Sequence, residues 1–347
     1  MLCSSPREIK KEIVLVSEDI VNEETKKKRV NAMSENKKQD TDGAVSATSR
    51  KWTECVIGVG FKPDFSVMQY NVLATPYMNG GVAYNLPQEL WGAPRFRRII
   101  EEVERYTPDV LCLQEVEVDL YYKEFQLPLK QIGMTDGVFF RRPNDKPDAC
   151  AVFWRGSTFS MVERHNISYN NMICTLKNQE FGHDNVGQVV LLKHLATGRF
   201  VIVANTHLFW EPTEEAEAAR VSQLATLLDA VKRLFSALES EENLVSVVVC
   251  GDFNSKPHGC VYNLCDHSPL QLISAYAVLK HPPTSFNVTP GFKGCLDYIW
   301  YKSNLLLHRL LSPIPDVDPT SGSQLYLPNP DFPSDHICIA AQFSFVR

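Results

Sequence analysis

No apolar run in this 347-residue chain is long enough to cross a membrane as a helix. The longest uncharged stretch near the start, from Ile13 to Ser17, is flanked by Glu12 and Glu18 and is too short for a secretory core. Ten cysteines are present but none form a Cys-x-x-Cys pair, so neither a zinc ribbon nor a redox dithiol is expected. Most of them, including Cys112, Cys150, Cys250 and Cys338, sit in apolar runs where thiols behave as small buried hydrophobes. Reduced thiols and an intracellular setting, cytoplasmic and also nuclear, are the expectation. No aromatic residue precedes Trp52, and residues 1–51 are rich in Lys, Glu, Asn, Ser and Thr. A segment of that composition cannot bury enough surface to order itself, so 1–51 is expected to be a disordered tail and 52–347 one catalytic domain. Within the tail, Lys26-Lys27-Lys28-Arg29 is a candidate nuclear signal, with a solvated charge cluster as the bland alternative.

Basic charge is also scarce where it would be wanted for a nucleic-acid grip. Of the net charge of −6, residues 1–51 contribute 11 Lys/Arg against 9 Asp/Glu, leaving 24 against 32 for the rest. A protein holding nucleic acid by phosphate neutralisation normally shows a basic excess. If the ligand is a phosphodiester, a divalent cation must supply the missing positive charge.

From residue 65 onward the chain carries short apolar runs bounded by turn residues, at 65–73, 110–114, 149–154, 186–192, 200–205, 245–250, 296–301 and 337–345. These read as buried strands. Helical patterns lie between them at 94–106 and 214–238. In the second, Val221, Leu224, Leu228, Val231, Phe235 and Leu238 form an apolar stripe, Thr213 is the expected N-cap, and Glu214, Glu215 and Glu217 suit the positive helix start. Strands apolar on both faces, interleaved with amphipathic helices, predict an α/β fold of two packed sheets flanked by helices, a four-layer sandwich.

Polar residues of one chemical kind recur at the ends of these strands: Asn71, Glu115, His207, Asp252, Asn254, Asp297 and His336. Each alone reads equally well as a turn former, a cap or a core histidine. Together they match the needs of phosphodiester hydrolysis: oxygen ligands for a hard cation, an acid to orient or deprotonate water, and donors to the phosphoryl oxygens. Mg²⁺ takes carboxylate and amide oxygens and keeps several waters, so Asn71 and Glu115 suffice as a ligand set. Asp252 and Asn254, two residues apart, share one face of an extended segment.

The ordered runs Tyr70-Asn71-Val72-Leu73, Leu113-Gln114-Glu115-Val116, Asn205-Thr206-His207, Cys250-Gly251-Asp252-Phe253-Asn254-Ser255, Leu296-Asp297-Tyr298-Ile299 and Pro333-Ser334-Asp335-His336 resemble the catalytic signature of the exonuclease–endonuclease–phosphatase superfamily. Pro147-Asp148-Ala149-Cys150-Ala151 and Asp184-Asn185-Val186-Gly187 resemble its carbon-catabolite-repression-type deadenylase and angel branches, and 291–297 is similar to the 2′,5′-phosphodiesterase. The resemblance implies a Mg²⁺-dependent 3′-5′ exoribonuclease, Mn²⁺ substituting, that acts on RNA 3′ ends of poly(A) and releases 5′-AMP. It also implies the roles: Glu115 and Asn71 hold the metal; Asp252 activates water with Asn254 beside it; His207 and His336 donate to the phosphate. Asp297 would orient His336, Asp335 and Asn185 would complete the site, and Pro212 and Phe292 would hold the terminal adenine. A 2′,5′-oligoadenylate phosphodiesterase, an RNA-end or nucleotide phosphatase of the angel and nocturnin type, and a non-catalytic RNA-binding relative are the alternatives. The leucine-rich repeats that dock yeast and animal deadenylases on their complex have no counterpart in 1–51, and no protein partner is implied.

Overall fold

The computed structural model describes residues 50–55, 62–78, 86–170, 173–174, 179–180, 183–238, 245–280, 282–283, 285–314 and 325–346. Residues 1–49 of the expected tail, with the basic run at 26–29, lie outside them.

Strands are numbered in chain order. One sheet has seven: β1 (Trp52–Glu54), β2 (Phe65–Asn71), β3 (Val110–Glu117), β4 (Asp136–Arg141), β5 (Asp148–Trp154), β16 (Leu305–Leu311) and β17 (Ile339–Phe345), in the order β1-β16-β17-β2-β3-β5-β4. The other has six: β6 (Phe159–Ser168), β9 (Val186–His194), β10 (Phe200–His207), β11 (Val245–Asp252), β12 (Leu272–Ser274) and β15 (Asp297–Lys302), in the order β12-β15-β11-β10-β9-β6. Two small hairpins pair β7 (Ile173–Cys174) with β8 (Gln179–Glu180) and β13 (Asn287–Thr289) with β14 (Phe292–Gly294). The helices are α1 (Ala93–Tyr106), α2 (Leu127–Gln131), α3 (Glu214–Ala237) and α4 (Cys260–Asp266).

The expected four layers follow from strand alternation. Val67, Val110, Cys112, Val201, Val203, Val248, Cys250 and Ile299 meet in a core between the two sheets. Their neighbours Met68, Leu111 and Leu113 turn outward to Phe96, Ile99 and Val103 of α1. Ile202, Val247 and Val249 turn outward on the other side to Leu224, Leu227 and Val231 of α3. Thr213 caps α3 as expected, its Oγ1 accepting from the Ala216 amide at 3.1 Å.

The buried stripe of α3 departs from expectation. It runs through Ala216, Ala219, Arg220, Gln223, Leu224, Leu227, Leu228, Val231 and Leu234, whereas Val221, Phe235 and Leu238 are only partly buried. Two polar side chains occupy the inward face because they hold a loop. Gln223 Oε1 accepts from the Phe209 amide at 3.0 Å, and Arg220 Nη1 donates to the carbonyls of Phe209 and Glu211. The expected face is therefore the buried one at Leu224, Leu228 and Val231, widened on one side by Arg220, Gln223 and Leu227, while Val221, Phe235 and Leu238 pack at its margin.

The domain also takes in Arg50, on the tail side of the expected boundary at Trp52. Arg50 is buried, its amide donating to the Tyr106 hydroxyl at 2.9 Å and its guanidinium to the carbonyls of Ser312 and Cys338 at 2.7 and 2.6 Å, close to Glu102. Removing one member of a buried charged cluster costs about 3–5 kcal/mol, because the partners keep their desolvation penalty. A chain starting at Ser49 is expected to melt like the parent, while one starting at Trp52, or an Arg50→Ala variant, melts roughly 5–15 °C lower by calorimetry. Parental melting from a Trp52 start would return the boundary to the position that composition suggests.

Cys55, Cys112, Cys150, Cys250, Cys260, Cys265, Cys295 and Cys338 are free thiols. Among the described residues no helix is long and apolar enough to cross a membrane.

Candidate active site

The inward faces of five strands share one pattern, apolar residues giving way to polar ones at the same end of the sandwich. In β2 it is Val67, Gln69, Asn71; in β3, Val110, Cys112, Gln114; in β10, Val201, Val203, Asn205, His207; in β11, Val248, Cys250, Asp252. Antiparallel β15 shows it in reverse, as Tyr301, Ile299, Asp297. Pairing sets Val186, His207, Asp252 and Asp297 side by side across the second sheet. Asn71 ends β2 in the facing sheet, so the space between the layers opens among these groups.

Beneath them runs a buried amide ladder. Gln69 Nε2 donates to Gln114 Oε1 at 2.7 Å and to Asp297 Oδ1 at 2.9 Å, and Gln114 Nε2 donates to Asn205 Oδ1 at 2.7 Å. Asn205 Nδ2 in turn donates to the carbonyls of Leu113 and Ala151, both at 3.0 Å. Buried amides must be paired, and here the pairing locks the register of one sheet on the other. Gln69 was not singled out on sequence, although the period of two from Asn71 marks it.

Asp252 is the centre. Its Oδ2 accepts from Asn71 Nδ2 at 3.0 Å and lies 3.6 Å from both His207 Nε2 and His336 Nε2; its Oδ1 accepts from the Asn254 amide at 2.9 Å. Burial raises its pKa from the ordinary carboxylate value, against the attraction of the two histidines. Gly251 makes the close strand contact that places it: its φ is +151°, and a Cβ there would fall 2.1 Å from the Thr206 carbonyl oxygen. Any side chain at 251 would drive β11 from β10. Asn254, at φ 47°, donates Nδ2 to the Leu208 carbonyl at 2.9 Å and so holds the loop after His207.

The two histidines differ. Burial lowers the pKa of His207 to about 4, with Asp252 opposing and Arg142 and His336 reinforcing the fall. Burial would lower His336 too, yet Asp297, Asp335 and Asp252 together push it well above its usual range. His336 Nδ1 sits 2.8 Å from Asp297 Oδ2, and Asp335 Oδ1 lies 3.9 Å from Nε2. His336 is thus held as a cationic donor and His207 as a neutral imidazole. The loop carrying His336 is tied to β2, since Ser334 Oγ donates to the Asn71 carbonyl at 2.7 Å and buried Arg95 donates to the carbonyls of Val72, Leu73 and Pro333. Arg95 escaped the sequence reading because a cation on an amphipathic helix looks solvated.

Glu115 lies in the bulge of β3 between Leu113 and Val116 and stands at φ 58°. Its Oε1 accepts from Asn71 Nδ2 at 2.8 Å and its Oε2 from the Ala74 amide at 2.9 Å. Burial, with Asp335 and Asp148 nearby, raises its pKa to about 8. A carboxylate disfavoured by burial and by like charge fits a hard divalent cation at this position, while Asn71 turns Nδ2 toward that carboxylate and its Oδ1 accepts from the Leu73 amide at 3.0 Å. A second group, Asp252, Asp297 and His336, also brings its ligand atoms within 4.8 Å of one another. In that group His336 Nδ1 and Asp297 Oδ2 are 2.8 Å apart, so the carboxylate fixes the orientation of the imidazole and leaves Nε2 facing Asp252. Asn185 Nδ2 donates to the His207 carbonyl at 3.1 Å. Pro212 is exposed on the loop entering α3, and Phe292 is half-buried on β14 with Lys256 Nζ 5.1 Å over its ring.

Comparison with known proteins places the chain in a family. Residues 68–336 match the model of the Endonuclease/Exonuclease/phosphatase family. The chain is 30% identical, over 82% of its length and 41% of the relative's, to the CCR4-Not complex 3′-5′-exoribonuclease subunit Ccr4 of Candida albicans. Against the corresponding subunits of Yarrowia lipolytica and Mycosarcoma maydis it covers 48% and 51%, so it spans about half the length of these relatives. Among solved structures, the human nocturnin catalytic domain with bound sulfate is 30% identical with a TM-score of 0.65, covering 86% of this chain and 98% of that one. The site, the fold and these likenesses lead to one conclusion: the chain belongs to the Endonuclease/Exonuclease/phosphatase family.

Proposed function

We propose that this protein is a metal-dependent 3′-5′ exoribonuclease of the cytoplasm or nucleus that shortens poly(A) from its 3′ end and releases 5′-AMP, with Mg²⁺ as the cofactor and Mn²⁺ able to replace it. The observation that carries the reading is Asp252, a buried carboxylate with an imidazole 3.6 Å away on either side and the Asn71–Glu115 pair against it. The names of the Ccr4 relatives supply the direction of attack and the RNA substrate.

In this reading Asp252, oriented by Asn71 and the Asn254 amide, accepts the proton of the attacking water. Cationic His336 donates Nε2–H to a nonbridging phosphoryl oxygen, held at its other nitrogen by Asp297, and neutral His207 lies on the opposite side of the same phosphate. Glu115 and Asn71 would hold the metal, which when bound neutralises charge on the phosphoryl group. Phe292 offers a ring for the terminal base, with Pro212 as its partner across the base.

A 3′-labelled A-tail, a 2′,5′-linked oligoadenylate and a 2′,3′-cyclic end, compared on purified protein, test the substrate. Release of 5′-AMP from the A-tail alone supports poly(A); preference for either other end moves the chain to a neighbouring activity. Chelation gives a second test. With EDTA, turnover is expected to fall to background while circular dichroism stays parental, and Mg²⁺ or Mn²⁺ restores it. Full turnover in EDTA would remove the metal from the mechanism.

A further inference from the structure

Beside His207, away from Phe292, the structure has a second aromatic feature that the proposed chemistry does not use. A cavity of about 140 Å³ is lined by Arg142, Lys146, His183, Asp184, Asn185, Phe209 and Trp210, the Asp184 carboxylate lying 3.9 Å from Lys146 Nζ. The His183 and Phe209 rings stack with centroids 3.5 Å apart and planes 9° from parallel. Trp210 next to them is 65% exposed, an unusual position for the largest side chain in a protein, and one that suits a ligand with a flat face. Asn185 is 2% exposed, and its Oδ1 has no hydrogen-bond partner among the described residues. Asn185 lines the cavity, and its buried Oδ1, left without a donor, can be satisfied from a ligand there by a ribose hydroxyl or an exocyclic amine once a small side-chain rotation brings it to the surface.

The position of this cavity follows from the sheet. Asp297, Asp252 and His207 stand in a row, the hairpin bearing Phe292 leads into β15 at one end of it, and Asn185 and Phe209 adjoin His207 at the other. Arg142 Nε donates to the Asp184 carbonyl at 2.7 Å, and its Nη1 lies 3.2 Å from Asp148, whose Oδ1 also accepts from the Tyr77 hydroxyl. The guanidinium is therefore fixed at the cavity wall. A phosphodiester has a nucleoside on each side, and a centre flanked by two aromatic surfaces can hold both.

We propose that the cavity between Arg142 and Trp210 receives the nucleotide across the scissile phosphate from the terminal one, its base on Trp210 and the Phe209–His183 pair, its sugar donating to Asn185 Oδ1. This inference rests on the reading of the site as a phosphodiesterase of RNA ends. It makes the protein a reader of two successive nucleotides, and it predicts that a substrate lacking the second one forgoes the binding that this shelf supplies.

The test uses the full chain with Mg²⁺ and two substrates, a 3′-5′-linked oligoadenylate and adenosine 5′-(p-nitrophenyl phosphate), which has the terminal nucleotide but no nucleoside beyond the phosphate. Trp210→Ala is expected to lower the preference for oligoadenylate over the nitrophenyl ester, as a ratio of kcat/KM, by roughly 5- to 150-fold, the range of one base stack. Trp210→Phe should recover most of it. In parallel, oligoadenylate should quench part of the intrinsic tryptophan fluorescence of the parent but not that part in Trp210→Ala. An active parent whose ratio and quenching are unmoved in Trp210→Ala overturns the shelf and leaves the activity standing. A parent inactive on both substrates, yet quenched through Trp210, sinks the phosphodiesterase reading and supports the shelf as an RNA site. Neither turnover nor quenching overturns both.

Discussion

Asp252→Asn is expected to lower kcat on an oligoadenylate by about 10²–10⁴-fold, the usual contribution of a positioned general base. The substitution preserves shape, and Asn can still accept from the Asn254 amide through one oxygen. It cannot accept a proton from water, and its amide nitrogen would face Asn71 Nδ2, from which Oδ2 now accepts, and the two imidazole nitrogens 3.6 Å away. Substrate affinity should hold or rise, since a carboxylate beside an anionic phosphate opposes binding. Stability should fall only modestly, because the lost hydrogen bond from Asn71 is offset by removal of a buried charge. Burial raises the pKa of Asp252, so its ionised form is less favoured in the folded protein than in the unfolded chain, and above that folded pKa the charge works against folding. Three measurements on one variant therefore separate the roles: kcat, affinity and melting temperature. Near-parental kcat would make Asp252 a turn residue, and joint loss of affinity and stability would make it a structural one.

What the sequence disclosed follows the physics of burial. Strands covered on both faces, such as β10 and β11, are continuously apolar and stand out as runs. β6 does not, because it is the edge of its sheet and nearly every side chain along it is exposed, Met161 and Val162 included. The site was legible for the same reason in reverse, since Asn71, His207, Asp252 and Asp297 each interrupt an apolar run at a strand end and so mark themselves. Residues that act through those groups gave no such mark. Arg95 and Arg220 are buried cations on helices, where a charge ordinarily signals the wet face, and only the carbonyls they reach explain them. Arg142 and Trp210 lie in loops whose partners are distant in sequence, so their assembly with Asn185 is a property of the fold alone. Arg50 shows the limit of composition as a boundary signal: its neighbours read as tail, but its own hydrogen bonds reach Ser312 and Cys338 across the domain.

The Asp297–His336 pair carries the other large expected effect. Asp297 accepts from Gln69 Nε2 at one oxygen and lies 2.8 Å from His336 Nδ1 at the other. An Asn at 297 cannot satisfy both. If its oxygen serves Gln69, its NH₂ confronts His336 Nδ1 and leaves the imidazole neutral; if its oxygen serves His336, two amide NH₂ groups oppose each other and the bond from Gln69 to Gln114 is drawn into the conflict. Asp297→Asn is therefore expected to lower kcat/KM on the order of 10²–10⁴-fold. The pH profile gives the sharper reading. In the parent His336 is raised well above its ordinary 6.5, so its protonated form survives to alkaline pH, and the stability it contributes is complete below 6.5 and lost only as pH climbs through the folded value. Losing the carboxylate removes the first of the charges that raise it, so the alkaline limb of kcat/KM should move to lower pH, and in His336→Ala the limb should vanish. Because both residues act through one proton, Asp297→Asn on top of His336→Ala should add little further loss. Losses that multiply, or an alkaline limb that stays in place in Asp297→Asn, would mean that Asp297 does not work through His336, and the carboxylate would then have to be counted with the ligands of the metal.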